Sequence, residues 1–432
     1  MNIKQLFQVS SLALAVTTSA LNTVYAGQLA DIYQLALAND PQLKAAQASY
    51  NAGKEIETQS KAALLPNLSL SANTTAIDTD SADYNNHGYT LALSQPVFNA
   101  ASWFTFKQGK LLSQQAALQF DLEQQKLISR TVEAYLGVLR AKSDLQTSEA
   151  QERAIKRRLD QVNAQYDVGL IANTDVQEAQ ASYDNARVAR ISAEGDLDNS
   201  YEALERLTGK SFNLVGQLSS DYPIEEPVPT QTKPWVDKAL NGNLNLKISD
   251  LNSESARRGA QVARAGHYPT LSLTANYDYD NGTAISNQGA DTSAIGLTLS
   301  VPLFSGGATS SKSREFEQKL IQSQFNHEDL RREVTQSTRS LLRDLRTGAL
   351  SVDALKQSTK SSEIALQATE EGYNVGTRNV VDVLQAEQQL YASQRDYATA
   401  RFNFVQNLIT FKQQLGTLNP EDINELDSWV QQ

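Results

Sequence analysis

The chain has 432 residues, with 49 acidic against 38 basic side chains for a formal charge of −11, and it has no cysteine. That excludes disulfides, a thiolate metal site and a lipid-modified N-terminal cysteine. An acidic chain with no basic block also does not suit nucleic acid as a partner.

Residues 1–26 read as a secretory signal: Lys4 is the positive start, Leu12 to Val16 the apolar core, and Val24-Tyr25-Ala26 the cleavage site. No later segment approaches 18 consecutive apolar residues, so no spanning helix is predicted. An exported acidic chain of this kind is periplasmic, secreted or outer-membrane.

The first structural repeat is predicted over 27–219. It opens with a helix over 28–62, broken at Asp40-Pro41, and continues with two strands in 64–99. There Leu68, Leu70 and Ala72 alternate with Ser69, Ser71 and Asn73, and Tyr89, Leu91 and Leu93 alternate with Thr90, Ala92 and Ser94. These are apolar/small-polar segments of about ten residues, the pattern of outer-membrane strands and also of hairpins in a soluble sheet. Polar loops are expected at 78–88 and, in the second half, at 280–291.

Residues 97–222 contain no proline and are rich in helix formers, so a helical hairpin is predicted over 100–208. Ile128, Val132, Tyr135, Leu139 and then Ile155, Leu159, Val162, Tyr166 form a narrow apolar seam, as in coiled-coil packing, with a register break between Leu139 and Ile155. The hairpin turns at 167–174, where Gly169 suits a left-handed helix end and Asn173 or Thr174 an N-cap. The arm from Ala100 to Tyr166 spans about 100 Å at 1.5 Å per residue.

Residues 220–234, with Pro223, Pro227, Pro229 and Pro234, read as a linker or equatorial segment. A second structural repeat follows over 235–416. It has a helix broken near Asn241-Gly242, two strands in 268–304 and a proline-free helical hairpin over 307–415. Leu271, Leu273, Ala275 and Tyr277, then Ile295, Leu297, Leu299 and Val301, supply its strand pattern. Gly376 and Asn379 repeat the turn chemistry of the first tip, and 417–432 is a C-terminal equatorial segment. The landmarks return in the same order about 200 residues apart, the mark of an internal duplication. Leu65-Pro66-Asn67-Leu68-Ser69-Leu70 returns as Tyr268-Pro269-Thr270-Leu271-Ser272-Leu273, Ser94-Gln95-Pro96-Val97-Phe98 as Ser300-Val301-Pro302-Leu303-Phe304, and Tyr166-Asp167-Val168-Gly169 as Tyr373-Asn374-Val375-Gly376.

If the four strands lie in a bilayer they cannot close alone, because the smallest barrels have eight and open sheet edges are not tolerated in hydrocarbon. Other copies of the chain must pair the edges. Two copies make a barrel filled by its own side chains, and three make twelve strands with room for a lumen.

Taken in order and twice over, these motifs resemble the TolC family of outer-membrane efflux and secretion ducts, over essentially the whole mature chain. The resemblance implies a mixed fold, all-α plus transmembrane β. In it a trimeric 12-stranded β-barrel, four strands per protomer, is continuous with a long α-helical barrel. It implies an exit duct in the outer membrane, with the helical barrel in the periplasm and outer-membrane lipid around the strands. The chain would be a homotrimer working with a periplasmic adaptor and an inner-membrane pump of the RND or ABC type. No cofactor and no metal is implied. By position, Thr174 and Asp175 face Tyr373 and Arg378 in a lock that closes the tips. Asp382 lines the lumen constriction in a ring of three, where the family has a second acid one turn on and this chain has Gln385. Val168, Gly169, Leu170, Val375, Gly376 and Thr377 are implied as adaptor-docking points.

Other readings are weaker. His87, His267 and His327 have no acid–nucleophile spacing around them, and no phosphate loop or metal spacing is visible, so an enzyme is not expected. A periplasmic adaptor would carry one coiled-coil hairpin between lipoyl-like halves. A purely structural coiled coil would not need two pairs of amphipathic strands.

Overall fold

The computed structural model describes residues 28–80, 82–212, 215–219, 221–281 and 289–431, so the signal predicted at 1–26 lies outside it. In chain order the elements are α1 (Leu29–Asn39), α2 (Pro41–Ala62), β1 (Asn67–Thr79), β2 (Ala82–Phe98), α3 (Ala100–Asp167) and α4 (Asn173–Thr208). There follow β3 (Gln217–Leu218), α5 (Thr232–Gly242), α6 (Leu244–Ala265), β4 (Thr270–Asn281), β5 (Ala290–Ser300), α7 (Ala308–Asn374), α8 (Val380–Gln414), α9 (Pro420–Asp427) and β6 (Val430–Gln431). The expected linker thus ends inside a helix, since α5 starts at Thr232.

The two longest helices, α3 with 68 residues and α7 with 67, run unbroken. The register break predicted between Leu139 and Ile155 does not interrupt α3; the helix changes partners there instead. Between Leu127 and Ala141 it is buried on a wide face, whereas from Ser148 to Val162 only a narrow stripe is covered.

Each shorter helix pair stacks end to end beside a long one. Asn39 Nδ2 donates to the Thr208 carbonyl at 2.9 Å, joining the α1–α2 corner to the end of α4. Asn243 Nδ2 donates to the Gln414 carbonyl at 2.9 Å, joining the α5–α6 corner to the end of α8. At the first corner Asp40 caps α2, accepting from Leu43 N at 3.2 Å; at the second Asn243 caps α6, accepting from Leu246 N at 3.1 Å. The second break therefore sits one residue beyond the Asn241-Gly242 pair.

The largest core lies at this level, where Leu29, Ile32, Leu127, Val132, Tyr135, Leu204 and Ile423 pack together. The strand pair β3–β6 ties the segment before the second repeat to the C-terminus.

The four long strands form one antiparallel sheet in the order β1-β2-β4-β5. Its register places Leu70 opposite Leu91, Leu91 opposite Tyr277, and Leu273 opposite Leu297, so the apolar residues of all four strands share a face. Leu271 to Tyr279 covers about 26 Å along the strand, close to the height of an outer-membrane apolar band. At its far end the rings of Tyr89 and Tyr279 stack at 5.2 Å, with Tyr277 at 6.1 Å from Tyr89. The other face is polar, and on it Thr90 Oγ1 donates to Asp278 Oδ1 at 2.6 Å.

The hairpins outrun the expected loops. Asp83 to Gly88 belong to β2, paired with Asn73 to Asp78, and Asp280 pairs with Ala290. Backbone pairing continues past the apolar band because ladder hydrogen bonds form whatever the polarity of the side chains. Residues 282–288 of the second loop lie outside the described residues.

Asp40 is nearly fully buried and also pairs with Arg130 Nη2 at 2.7 Å. Asp40→Ala removes a cap and half of an ion pair together and is expected to destabilise the fold by about 2–4 kcal/mol. Asp40→Asn keeps the cap, as Asn243 does in the second repeat, and should lose about half as much. Thermal midpoints of the helical circular dichroism signal check the order wild type, Asn, Ala.

Candidate functional site at the hairpin tips

Both hairpins turn with the same chemistry. Gly169 and Gly376 take left-handed φ values of 74° and 79°, which glycine adopts without strain. Leu170 N donates to the Gln165 carbonyl at 2.9 Å and Gly169 N to Tyr166 at 2.8 Å. At the second tip Thr377 N donates to Gly372 at 2.8 Å and Gly376 N to Tyr373 at 3.0 Å. These paired bonds are Schellman ends, which satisfy the last carbonyls of α3 and α7.

The next helices start differently from each other. Asn379 caps α8 in a capping box: its Oδ1 accepts from Asp382 N at 2.8 Å, and its own N donates to Asp382 Oδ2 at 3.2 Å. The N-cap of α4 is Ala172, with no side-chain bond, and the expected caps Asn173 and Thr174 are already helical. The tight turn ends one residue early, so neither side chain reaches the first free amides.

A small apolar cluster holds the two tips side by side: Ile155, Leu159 and Val162 of α3, Ala179 and Ala186 of α4, and Val380 and Leu384 of α8. Val168, Leu170 and Val375, at 69%, 73% and 75% exposure, project beyond it as an uncovered apolar end.

Within one protomer Tyr373 and Arg378 have partners on α3 and on α8. Tyr373 Oη donates to Gln165 Oε1 at 2.5 Å, not to Thr174 or Asp175. Arg378 Nη1 lies 3.9 Å from Asp382 Oδ2, one turn along its own helix. Among the described residues the side chains of Thr174 and Asp175 make no hydrogen bond or ion pair in the protomer. Asp382 and the exposed Gln385 sit on the side of α8 away from the apolar cluster, and no element of the protomer covers Gln385.

About one helical turn from Tyr373 the structure holds a buried ionic group that the sequence reading missed. Arg158 of α3 donates through Nη2 to Glu370 Oε1 of α7 and to Glu387 Oε1 of α8, the latter at 3.2 Å. Its guanidinium also lies 5.9 Å from the Tyr373 ring centre. Burial pushes the Glu387 carboxyl above the ordinary glutamate range; Arg158 pulls it back and Glu370 adds to the rise. Glu387 Oε2 and Arg158 Nε find no partner. The signal was present in the pattern: Arg158 stands beside Leu159 in the seam of α3, and Glu387 falls in the series Val380, Val383, Leu384, Leu390 that faces the core.

Comparison with known proteins agrees with this architecture. The sequence profile described as "Outer membrane efflux protein" matches residues 32–210 and 235–417, one block per repeat. The outer membrane protein TolC of Vibrio cholerae serotype O1 is 32% identical over 425 residues, covering 97% of this chain and 96% of that protein. The proteases secretion protein PrtF of Dickeya chrysanthemi is 30% identical, covering 93% of this chain and 91% of its own. The solved CmeC outer membrane channel of Campylobacter jejuni superposes with a TM-score of 0.79 at 17% identity, covering 99% of this chain and 98% of that one.

Because burial raises the folded-state pKa of Glu387, its ionisation opposes folding at neutral pH, and that cost disappears below 4.5, the ordinary glutamate value. Glu387→Gln keeps an acceptor for Arg158 and is expected to equal or exceed the wild type at pH 7 by about 1 kcal/mol, the gap closing in acid. Arg158→Ala strands the carboxylate and should cost about 3 kcal/mol, more as pH rises. Thermal midpoints across pH 4 to 8 read both signs; a Glu387→Gln protein weaker than wild type at neutral pH contradicts this account of the cluster.

Proposed function

The chain belongs to the outer membrane efflux protein family, and from that membership we propose that three copies form a gated exit duct working with a periplasmic adaptor and an inner-membrane pump. The family is one of channels, not enzymes, and its place is the outer membrane. Relatives named for secretion of proteases as well as TolC itself support both type I secretion and efflux as the process served.

One observation carries the trimeric reading: a four-stranded sheet with a single apolar face and two unpaired edges, β1 and β5. Strand directions alternate across the sheet, so β5 of one copy meets β1 of the next antiparallel, as a closed ring requires. Twelve strands leave a lumen, and the polar face carrying Thr90 and Asp278 would line it. The helices leave the same end of the sheet and extend the bore by about 100 Å.

The tips are the gate in this reading. With two copies side by side, the unpaired Thr174 and Asp175 of one hairpin are available to Tyr373 and Arg378 of a neighbouring one, and Asp175 offers a planar acceptor to the guanidinium. Asp382 forms the constriction ring and Gln385, facing the same way, leaves the next ring uncharged. The exposed Val168, Leu170 and Val375, set on the turns at Gly169, Gly376 and Thr377, form the end an adaptor would grip.

Reconstitution into planar bilayers tests the duct. Wild-type trimer should conduct poorly, and Tyr373→Phe and Arg378→Ala should each raise single-channel conductance several-fold by loosening the tips. No conductance from a purified trimer in any variant would overturn the reading. Gln385→Asp should restore a second acidic ring and tighten block by a trivalent cation about tenfold or more over the wild type, read from blocking curves.

A further inference from the structure

The geometry points to a specific charged clasp between copies of this chain: Arg343 on α7 of one protomer engages Glu202, with Asp198 one turn below it, on α4 of the next. It rests on the trimeric reading and adds the side, the register and the residues of the contact.

Within the protomer the helical wall has an order. α3 packs against α2 and α4 on one flank and against α6 and α8 on the other; α7 packs on α6 and α8, with the short α5 against its upper part. The stacked α2–α4 column is therefore one free edge of the wall and α7 the other. Closing the wall into a tube brings α7 of one copy against the α2–α4 column of the next.

Both edges carry a stripe of side chains that stay exposed in the protomer, Arg339 and Arg343 lying beside Val236 and Leu240 of α5. On α7 the core face is given by Thr338, Leu342, Leu345 and Ala349. At 100° per residue, Arg339, Arg343, Leu350 and Ile364 fall together roughly 70–130° round from it. Leu350 and Ile364 are more than half exposed, which is costly for a helix that ends its neighbours there. Arg339 and Arg343 are exposed and have no acidic partner among the described residues, whereas Arg346 is half-buried, with Nε and Nη2 enclosed within the protomer. On α4 the buried residues are Ala179, Ala186, Ala193, Leu204, Leu207 and Thr208. The opposite side presents Val188 and Ile191, both more than half exposed, then Asp198 and Glu202, which have no basic partner among the described residues.

The stripes match in height. α7 ends at Asn374 and α4 begins at Asn173, both at the tip end. Counting 1.5 Å per residue from there, Ile364 stands at about 15 Å, Val188 at about 22 Å, Ile191 at about 27 Å and Leu350 at about 36 Å. Asp198 follows at about 38 Å, Glu202 at about 44 Å and Arg343 at about 46 Å. The exposed apolar side chains of the two helices thus lie at overlapping heights in the lower part, and Glu202 and Arg343 meet directly above them. Charge placed this way sets register and partner more than raw affinity.

Since the chain has no cysteine, the seam is read by engineered thiols. Arg343→Cys with Glu202→Cys in one chain should give a covalent trimer on mild oxidation, and neither single variant should. Arg343→Cys with Gly195→Cys, about 10 Å lower on α4, should not link. Separately, Arg343→Glu should lower the trimer-to-monomer ratio in detergent about tenfold or more, because symmetry repeats the repulsion at every seam, and Glu202→Arg added to it should restore the ratio. A wild-type trimer in which the Glu202 pair does not link, or in which the Gly195 pair links instead, overturns the clasp and leaves the duct standing. A wild-type chain that is monomeric in detergent removes both.

Discussion

The rest of the structure depends on the two free edges of the four-stranded sheet. In water an edge strand can hydrogen-bond to solvent, but in hydrocarbon each unpaired N–H or C=O costs several kcal/mol. The apolar face formed by Leu70, Leu91, Tyr277, Leu273 and Leu297 places those edges at lipid depth. The edges then need partners of the same kind, and the helices that follow the strands are carried into the same ring. Only the single residue Asn99 separates β2 from α3, so the spacing of the strands is passed straight to the helical wall.

The wall is held unevenly along its length. At the level where the short helices meet end to end, core side chains from both repeats and from α9 converge with the β3–β6 pair. The corners there use duplicated devices, an asparagine reaching a carbonyl at the end of the helix opposite and an acid or amide capping the next helix. Toward the tips the apolar cluster is small and contains alanines where the upper core has leucines and tyrosine. A segment with few buried apolar contacts is the part of a structure that opens at least cost.

That thin seam also holds a buried ionic group. Arg158 ties α7 and α8 to α3 through two carboxylates, while burial works against the charge on Glu387. Such a cluster adds little net stability but makes one arrangement of three helices distinct from its neighbours. The exposed Val168, Leu170 and Val375 below it are the opposite case, apolar groups left in water because nothing within the protomer reaches them.

What the sequence by itself determined is what repeats locally. The period of two in the strands, the seam spacing in the helices, the glycines of both tips and the breaks at Asp40 and near Asn243 are each set by residues within a few positions of one another. The capping box at Asn379 and Asp382 is of the same kind. What only the tertiary structure decided are the partners drawn from far along the chain. Tyr373 finds Gln165 and Arg158 finds Glu387, each more than 200 positions away, and β2 lies against β4 across the intervening helical hairpin. The hairpin strands also run on into segments whose composition reads as loop, because ladder bonding depends on the opposing backbone and not on the polarity of the side chains. Local periodicity states which face of an element is apolar; which other face it meets is settled by how both repeats pack at once.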